Sequence, residues 1–281
     1  MVYGRLSQSN WAPASNNATR LGGGLVATWQ PPSTPITIGL ARFYHRDWPA
    51  HWTKADYTLP FGAFFSRPQT TTTRATNSDN QLASVFFSAR ATSIGLEVFG
   101  EFGKNDRNKD VRDLTVEPEN NSAWLLGFIK VFGLNESDPD LWTFRATVAD
   151  GRIDALQTIG RGQSIFYDHS TITQGHTEAG QLLGTPLIAR SGGADFAIDR
   201  FTRGGRLGIE LMERQMPPDG KVGMPADQLR SQWDLGVGGT LFRGGNDYTF
   251  QLGRVVDLNR FPGVNVTNYY IRFGKRMTGL P

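Results

Sequence analysis

Residues 94–102 read Ile-Gly-Leu-Glu-Val-Phe-Gly-Glu-Phe. Taken at every second position, Ile94, Leu96, Val98, Gly100 and Phe102 form one set, and Gly95, Glu97, Phe99 and Glu101 form the other. Side chains alternate faces along a strand, so one face here is apolar and the other carries carboxylates. Two carboxylates do not suit the dry core of a sandwich. They suit the wet interior of a barrel whose apolar side meets lipid.

The alternation recurs along the chain. Trp142, Phe144, Ala146 and Val148 oppose Thr143, Arg145 and Thr147; Leu207, Ile209 and Leu211 oppose Arg206, Gly208 and Glu210. Trp233, Leu235, Val237 and Leu241 oppose Gln232, Asp234, Gly236 and Thr240; Tyr248, Phe250 and Leu252 oppose Asp247, Thr249 and Gln251. Twelve segments read as strands: 2–7, 21–30, 36–45, 82–91, 93–103, 122–133, 140–149, 194–203, 205–214, 231–242, 246–257 and 264–274. Most have the length a tilted strand needs to cross a bilayer, about 9–11 residues. Short links (Gly204; Arg243-Gly244-Gly245) contrast with long ones at 46–81 and 150–193, as in the two ends of an outer-membrane barrel. The expected fold is therefore all-β, an antiparallel transmembrane β-barrel occupying residues 1–281 as one domain. A soluble β-sandwich also alternates. Strand length, charged wet faces and aromatics near strand ends (Trp29, Tyr44, Trp124, Trp142, Trp233, Tyr248) argue for the membrane form.

Composition agrees. Thirty-three glycines and 18 phenylalanines favour strands, turns and aromatic girdles. There is no cysteine, so neither a disulfide framework nor a thiolate metal site is available. No apolar run reaches the roughly 18 residues of a transmembrane helix. A net charge of +3 with mildly negative mean hydropathy fits a barrel as well as a soluble protein, because half of each strand faces water. Met1-Val2-Tyr3-Gly4-Arg5 does not read as a signal peptide, and the chain is expected to be a mature form or a portion that opens inside a strand.

Two long loops carry the candidate chemistry. In the first, Trp48, His51 and Trp52 form an aromatic cluster that would suit a sugar platform or an interfacial belt. In the second, Tyr167, Asp168, His169, His176, Glu178 and Gln181 concentrate polar groups, and two of the chain's four histidines are among them. A metal site there is disfavoured, since the two histidines are seven apart with no ligand spacing. A hydrolase is suggested by Asp168, His169 and Ser170, yet no Gly-x-Ser-x-Gly elbow accompanies them. Polar recognition of glycan hydroxyls competes with a purely structural reading, in which these groups bond one another to fold the loop into the barrel mouth. Glycines 175, 180 and 184 would allow tight turns or close approach. Arg200, Arg203 and Arg206 around a turn, with Arg243, Arg254, Arg260 and Arg272, are solvated interior or rim residues, some of which would suit an acidic polysaccharide. No phosphate cradle or nucleic-acid motif is present.

The stretch Phe166-Tyr167-Asp168-His169 … Gly175-His176-Thr177 … Gly180-Gln181-Leu182-Leu183-Gly184 resembles the signature of the bacterial capsule-assembly outer-membrane barrel family of the Wzi type. Gly4-Arg5-Leu6-Ser7-Gln8-Ser9-Asn10-Trp11 and Trp48-Pro49 … Leu59-Pro60-Phe61 extend the resemblance across most of the chain. It implies a non-enzymatic, lectin-like barrel in the bacterial outer membrane that attaches or organises capsular polysaccharide. It implies no cofactor, a monomer, and polysaccharide and outer-membrane lipid as partners. Members form barrels of about eighteen strands with a helical plug. This chain is therefore expected to be a C-terminal portion, lacking the plug and the N-terminal part of the barrel. An outer-membrane lipid hydrolase, or a passive porin or structural barrel, is the alternative.

Overall fold

The computed structural model describes residues 2–7, 19–49, 51–52, 79–105, 122–133, 140–151, 166–167, 175–179, 181–189, 191–216, 230–261 and 263–277. Its elements are strands β1 (Val2–Leu6), β2 (Arg20–Trp29), β3 (Ile36–Asp47), β4 (Asp79–Ala91), β5 (Leu96–Asn105), β6 (Ser122–Phe132) and β7 (Leu141–Asp150). Two short strands follow, β8 (Thr177–Glu178) and β9 (Gln181–Leu182), then β10 (Gly192–Thr202), β11 (Gly205–Met216), β12 (Arg230–Arg243), β13 (Asn246–Phe261) and β14 (Val264–Met277).

Every strand expected from the alternation is present. Together they make one antiparallel twelve-stranded sheet in the order β1-β2-β3-β4-β5-β6-β7-β10-β11-β12-β13-β14. Each long strand pairs with its neighbours in sequence, and β8 and β9 form a separate small hairpin. Connections alternate through the first ten links: 30–35, 92–95, 133–140, 203–204 and 244–245 are short, whereas 7–19, 48–78, 106–121, 151–191 and 217–229 are long; the last link, 262–263, is short as well and departs from the alternation. At the two-residue turn between β12 and β13, Gly244 and Gly245 both take positive φ, 58° and 69°, as a hairpin matched to strand twist requires. One expectation needs correction. The fifth strand begins at Leu96, because Thr92–Ile94 form a 3-10 turn closed by Gly95 at φ 62°. The strands also run further than the alternation suggests, up to 16 residues in β13, where a register shift between Asp257 and Phe261 accommodates Asn259 at φ 54°.

Chain contacts divide the molecule into two compact units: Met1–Phe87 with Glu101–Trp124 and Gly151–Arg190, and Ser88–Gly100 with Leu125–Asp150 and Ser191–Pro281. In the second unit the polarity of the sheet is explicit. Along β10 the apolar side chains Phe196 and Ile198 are exposed, Ile198 to 48 %, while Asp195 and Asp199 are buried, Asp199 being only 7 % exposed. This is the inverse of a water-soluble sheet. Register carries the pattern across six strands: Phe144, Ile198, Ile209, Val237, Leu252 and Ile271 are successive neighbours in one row. A row on the other face runs Thr147, Asp195, Met212, Asp234, Val255 and Asn268.

Charges on that other face pair across strands. Arg145 Nε donates to Asp195 Oδ1 at 3.0 Å, and its Nη2 lies 3.0 Å from Glu210. Arg206 holds Asp199 at 2.7 Å, and Asp257 accepts from Arg230 and from Arg260 at 3.0 Å. Buried carboxylates are tolerable only when so paired. No helix among the described residues is long and apolar enough to cross a membrane.

Candidate functional site

The site lies in the first unit, where parts of both long loops meet β1, β2 and β3. Arg20, at the first position of β2, is 1 % exposed, and its guanidinium donates to the carbonyls of Gly175 at 2.6 Å and Thr177 at 2.7 Å. A planar guanidinium with several N–H groups suits two adjacent carbonyls that would otherwise be desolvated without partners. The β8–β9 hairpin is thereby fastened to the sheet. Its Glu178 carboxylate accepts the backbone N–H of Ser7, just past β1, at 2.8 Å.

Beneath the hairpin an aromatic cluster fills the space. His45 and His176 meet edge to face with ring centroids 4.3 Å apart, and Phe43 packs on His176 at 5.2 Å. Tyr167 stands 6.2 Å from His176 and 4.9 Å from Phe166. The Tyr167 carbonyl accepts the His176 N–H at 2.9 Å, and the Leu183 N–H donates to the His176 carbonyl at 2.8 Å. Tyr167 adopts φ 72°, a left-handed conformation costly for a bulky residue, which these bonds and the packing hold in place. Gly184 lies directly on the Tyr167 ring, so close that any side chain at 184 would collide with it. Burial pushes the Tyr167 phenol up to about 12, and the Glu101 carboxylate adds to the shift against the opposing hydrogen bond from the Thr185 backbone. Tyr167 is thus a neutral donor–acceptor throughout the neutral range.

The side chains singled out in the sequence therefore separate into two groups. His176 is wholly enclosed and Tyr167 nearly so, which places them under the hairpin and not on a surface that a ligand in solvent could touch. Glu178 is half-buried and held by Ser7, while Gln181 in β9 is exposed. Asp168 and His169 lie outside the described residues, as does Ser170, so no Ser–His pair is described. Of the three glycines, Gly175 takes positive φ (60°) and Gly184 makes a close approach, while Gly180 is outside the described residues.

The other group is exposed. Trp48 and Trp52 are 41 % and 38 % accessible and meet edge to face at 5.4 Å. The Trp48 N–H donates to the Thr19 carbonyl at 3.0 Å, extending the β2–β3 ladder by one rung and fixing where that indole leaves the sheet. Tyr3 of β1 joins Trp52 at 6.3 Å, and the Arg5 guanidinium lies 5.9 Å over the Trp48 ring, within cation–π range. His51, next to Trp52 in sequence, is exposed. The result is an exposed aromatic patch carrying a guanidinium. Such a patch can pack on the C–H faces of sugar rings and hydrogen-bond their hydroxyls. Tyr3, Arg5 and Arg20 were not among the sequence candidates. Only register brings them to the loops, with Tyr3 opposite Gly23 and Arg20 opposite Asp47.

Among the described residues no group of three or more His, Asp or Glu side chains is arranged to hold a metal ion. Comparison of the chain with protein-family models, curated proteins and solved structures found no match in any of the three.

Proposed function

We propose that this chain forms an outer-membrane β-barrel whose long-loop end binds a bacterial surface polysaccharide. The observation that carries the membrane reading is the inverted polarity of the sheet, with apolar rows exposed and paired charges buried on the opposite face. Alternating short and long connections support the same reading, since they assign the long loops to one end. Closure of the sheet, alone or with further strands, is part of this proposal.

The polysaccharide reading rests on the patch of Tyr3, Trp48, Trp52 and Arg5, together with the resemblance of residues 166–184 to the capsule-assembly barrels. Binding is non-catalytic and weak per sugar, and it gains strength from the repeated epitope of a polymer. The enclosed side chains, Tyr167 and His176, serve this function by fixing the hairpin beside the patch. Substituting them would report on packing, so the test belongs on the exposed indoles. Trp48→Ala combined with Trp52→Ala is expected to leave a folded barrel and lower the affinity for a purified capsular polysaccharide by at least about tenfold, as loss of an aromatic anchor does. Unchanged affinity for every polysaccharide that the parent chain binds would remove the patch from the site.

A further inference from the structure

The polar face of β10–β14 contains an open cavity of about 360 Å³ that the reading above does not use. Register explains why it is there. One row runs Asp199, Gly208, Gly238, Gln251, Arg272, and the next runs Ala197, Glu210, Gly236, Gly253, Tyr270. Two glycines therefore lie between the bulkier residues on either side in each row; the Asp199 carboxylate leans over Gly208 and the Tyr270 ring covers Gly253 and reaches Gly236, while Gly236 and Gly238 still line the cavity. With strands about 4.8 Å apart, the walls stand about 14 Å from one another at the backbone. Gly236, Gly238 and Thr240 make β12 the floor of a gutter.

The two walls differ in charge. On the β10–β11 side each acid already holds a cation, Asp199 that of Arg206 at 2.7 Å and Glu210 that of Arg145 at 3.0 Å. On the β13–β14 side Arg272 has no carboxylate within ion-pair distance among the described residues. Its guanidinium lies 4.9 Å over the Tyr270 ring and its Nη1 donates to Gln251 Oε1 at 3.3 Å. Tyr270 is itself anchored by donating its hydroxyl to Asp234 Oδ1 at 3.2 Å. A guanidinium held on an aromatic face keeps its planar N–H fork oriented for an incoming carboxylate.

We infer that this glycine-floored gutter binds an anionic saccharide, a sugar carrying a carboxylate, with the carboxylate on Arg272. Gln251 and Thr240 offer hydrogen bonds to its hydroxyls, and the paired acids Asp199 and Glu210 retain oxygens able to accept from them. The site is separate from the aromatic patch and stands or falls without it. It needs only that β10–β14 present this face to water.

The test is equilibrium dialysis of the refolded chain in detergent against glucuronate, glucose and acetate, with Arg272→Gln and Arg254→Gln as variants. Arg254 is exposed on the opposite face of β13, so its loss controls for net charge. The expected result is binding of glucuronate at least about tenfold tighter than of glucose or acetate, lost to a similar degree in R272Q and retained in R254Q. Three results would overturn the inference: no binding of glucuronate, acetate binding as well as glucuronate, or R272Q binding like the parent. A failure of the Trp48 and Trp52 variants to alter polymer binding would leave this site untouched.

Discussion

Ile209→Arg is expected to destabilise the folded chain in lipid by about 2–4 kcal/mol, the cost of placing a cation in the hydrocarbon layer on the outer wall of a barrel. Ile209 sits in the middle of the row Phe144, Ile198, Ile209, Val237, Leu252 and Ile271, flanked on both sides by exposed aliphatic side chains. A cation there has no carboxylate on its own face to pair with in that row. Asn268→Lys, on the opposite face of β14, is the control and should cost no more than about 1 kcal/mol, since that face already carries charges. The measurement is the urea midpoint of folding in phospholipid vesicles. The sign separates the two fold classes. In a water-facing sheet, Ile to Arg at an exposed position would be neutral or would improve solubility, whereas a lipid-facing position cannot accept it.

Arg20→Met should release the β8–β9 hairpin while the large sheet persists. The substitution keeps the apolar stem but removes the donors to Gly175 and Thr177, leaving two buried carbonyls without their charged partner. Hydrogen bonds to charged groups contribute about 1.5–3 kcal/mol each, so about 3 kcal/mol of local stability is at stake. Amide exchange at Leu183, whose N–H donates to the His176 carbonyl, should accelerate by about a hundredfold, with the β-type circular dichroism almost unchanged. Exchange at Leu183 that stays at the parent rate would show that the aromatic cluster of His45, His176 and Tyr167 holds the hairpin without Arg20.

The large strands were legible because the bilayer-type pattern is periodic and local. Asp195, Phe196, Ala197, Ile198 and Asp199 announce their two faces with no help from the rest of the chain. Strand ends were less legible. Beyond the apolar stretch β14 continues to Met277 by pairing with β13, with Lys275 over the Tyr248 ring, and neither feature shows in the alternation. The candidate site was half legible. Residue type identified the chemistry of Trp48, His51 and Trp52, and the structure leaves all three exposed. Residue type did not reveal that His176 would be enclosed, because an imidazole can serve equally as a ligand contact or as packing. That choice was made by Phe43 and His45 on β3, more than a hundred residues away in the chain. Arg20 was invisible for a related reason, since its partners are carbonyls, which carry no sequence signature.

Lipid-dependent folding tests the central claim most directly. The unfolded chain is diluted into buffer alone, into detergent and into phospholipid vesicles, and each sample is followed by circular dichroism and by gel migration with and without heating. The expected result is β-type dichroism and a heat-modifiable compact band in detergent and in vesicles, with neither in buffer alone. A compact, soluble β-structured protein in buffer alone would contradict the membrane barrel, and with it the assignment of the long loops to a cell-surface glycan.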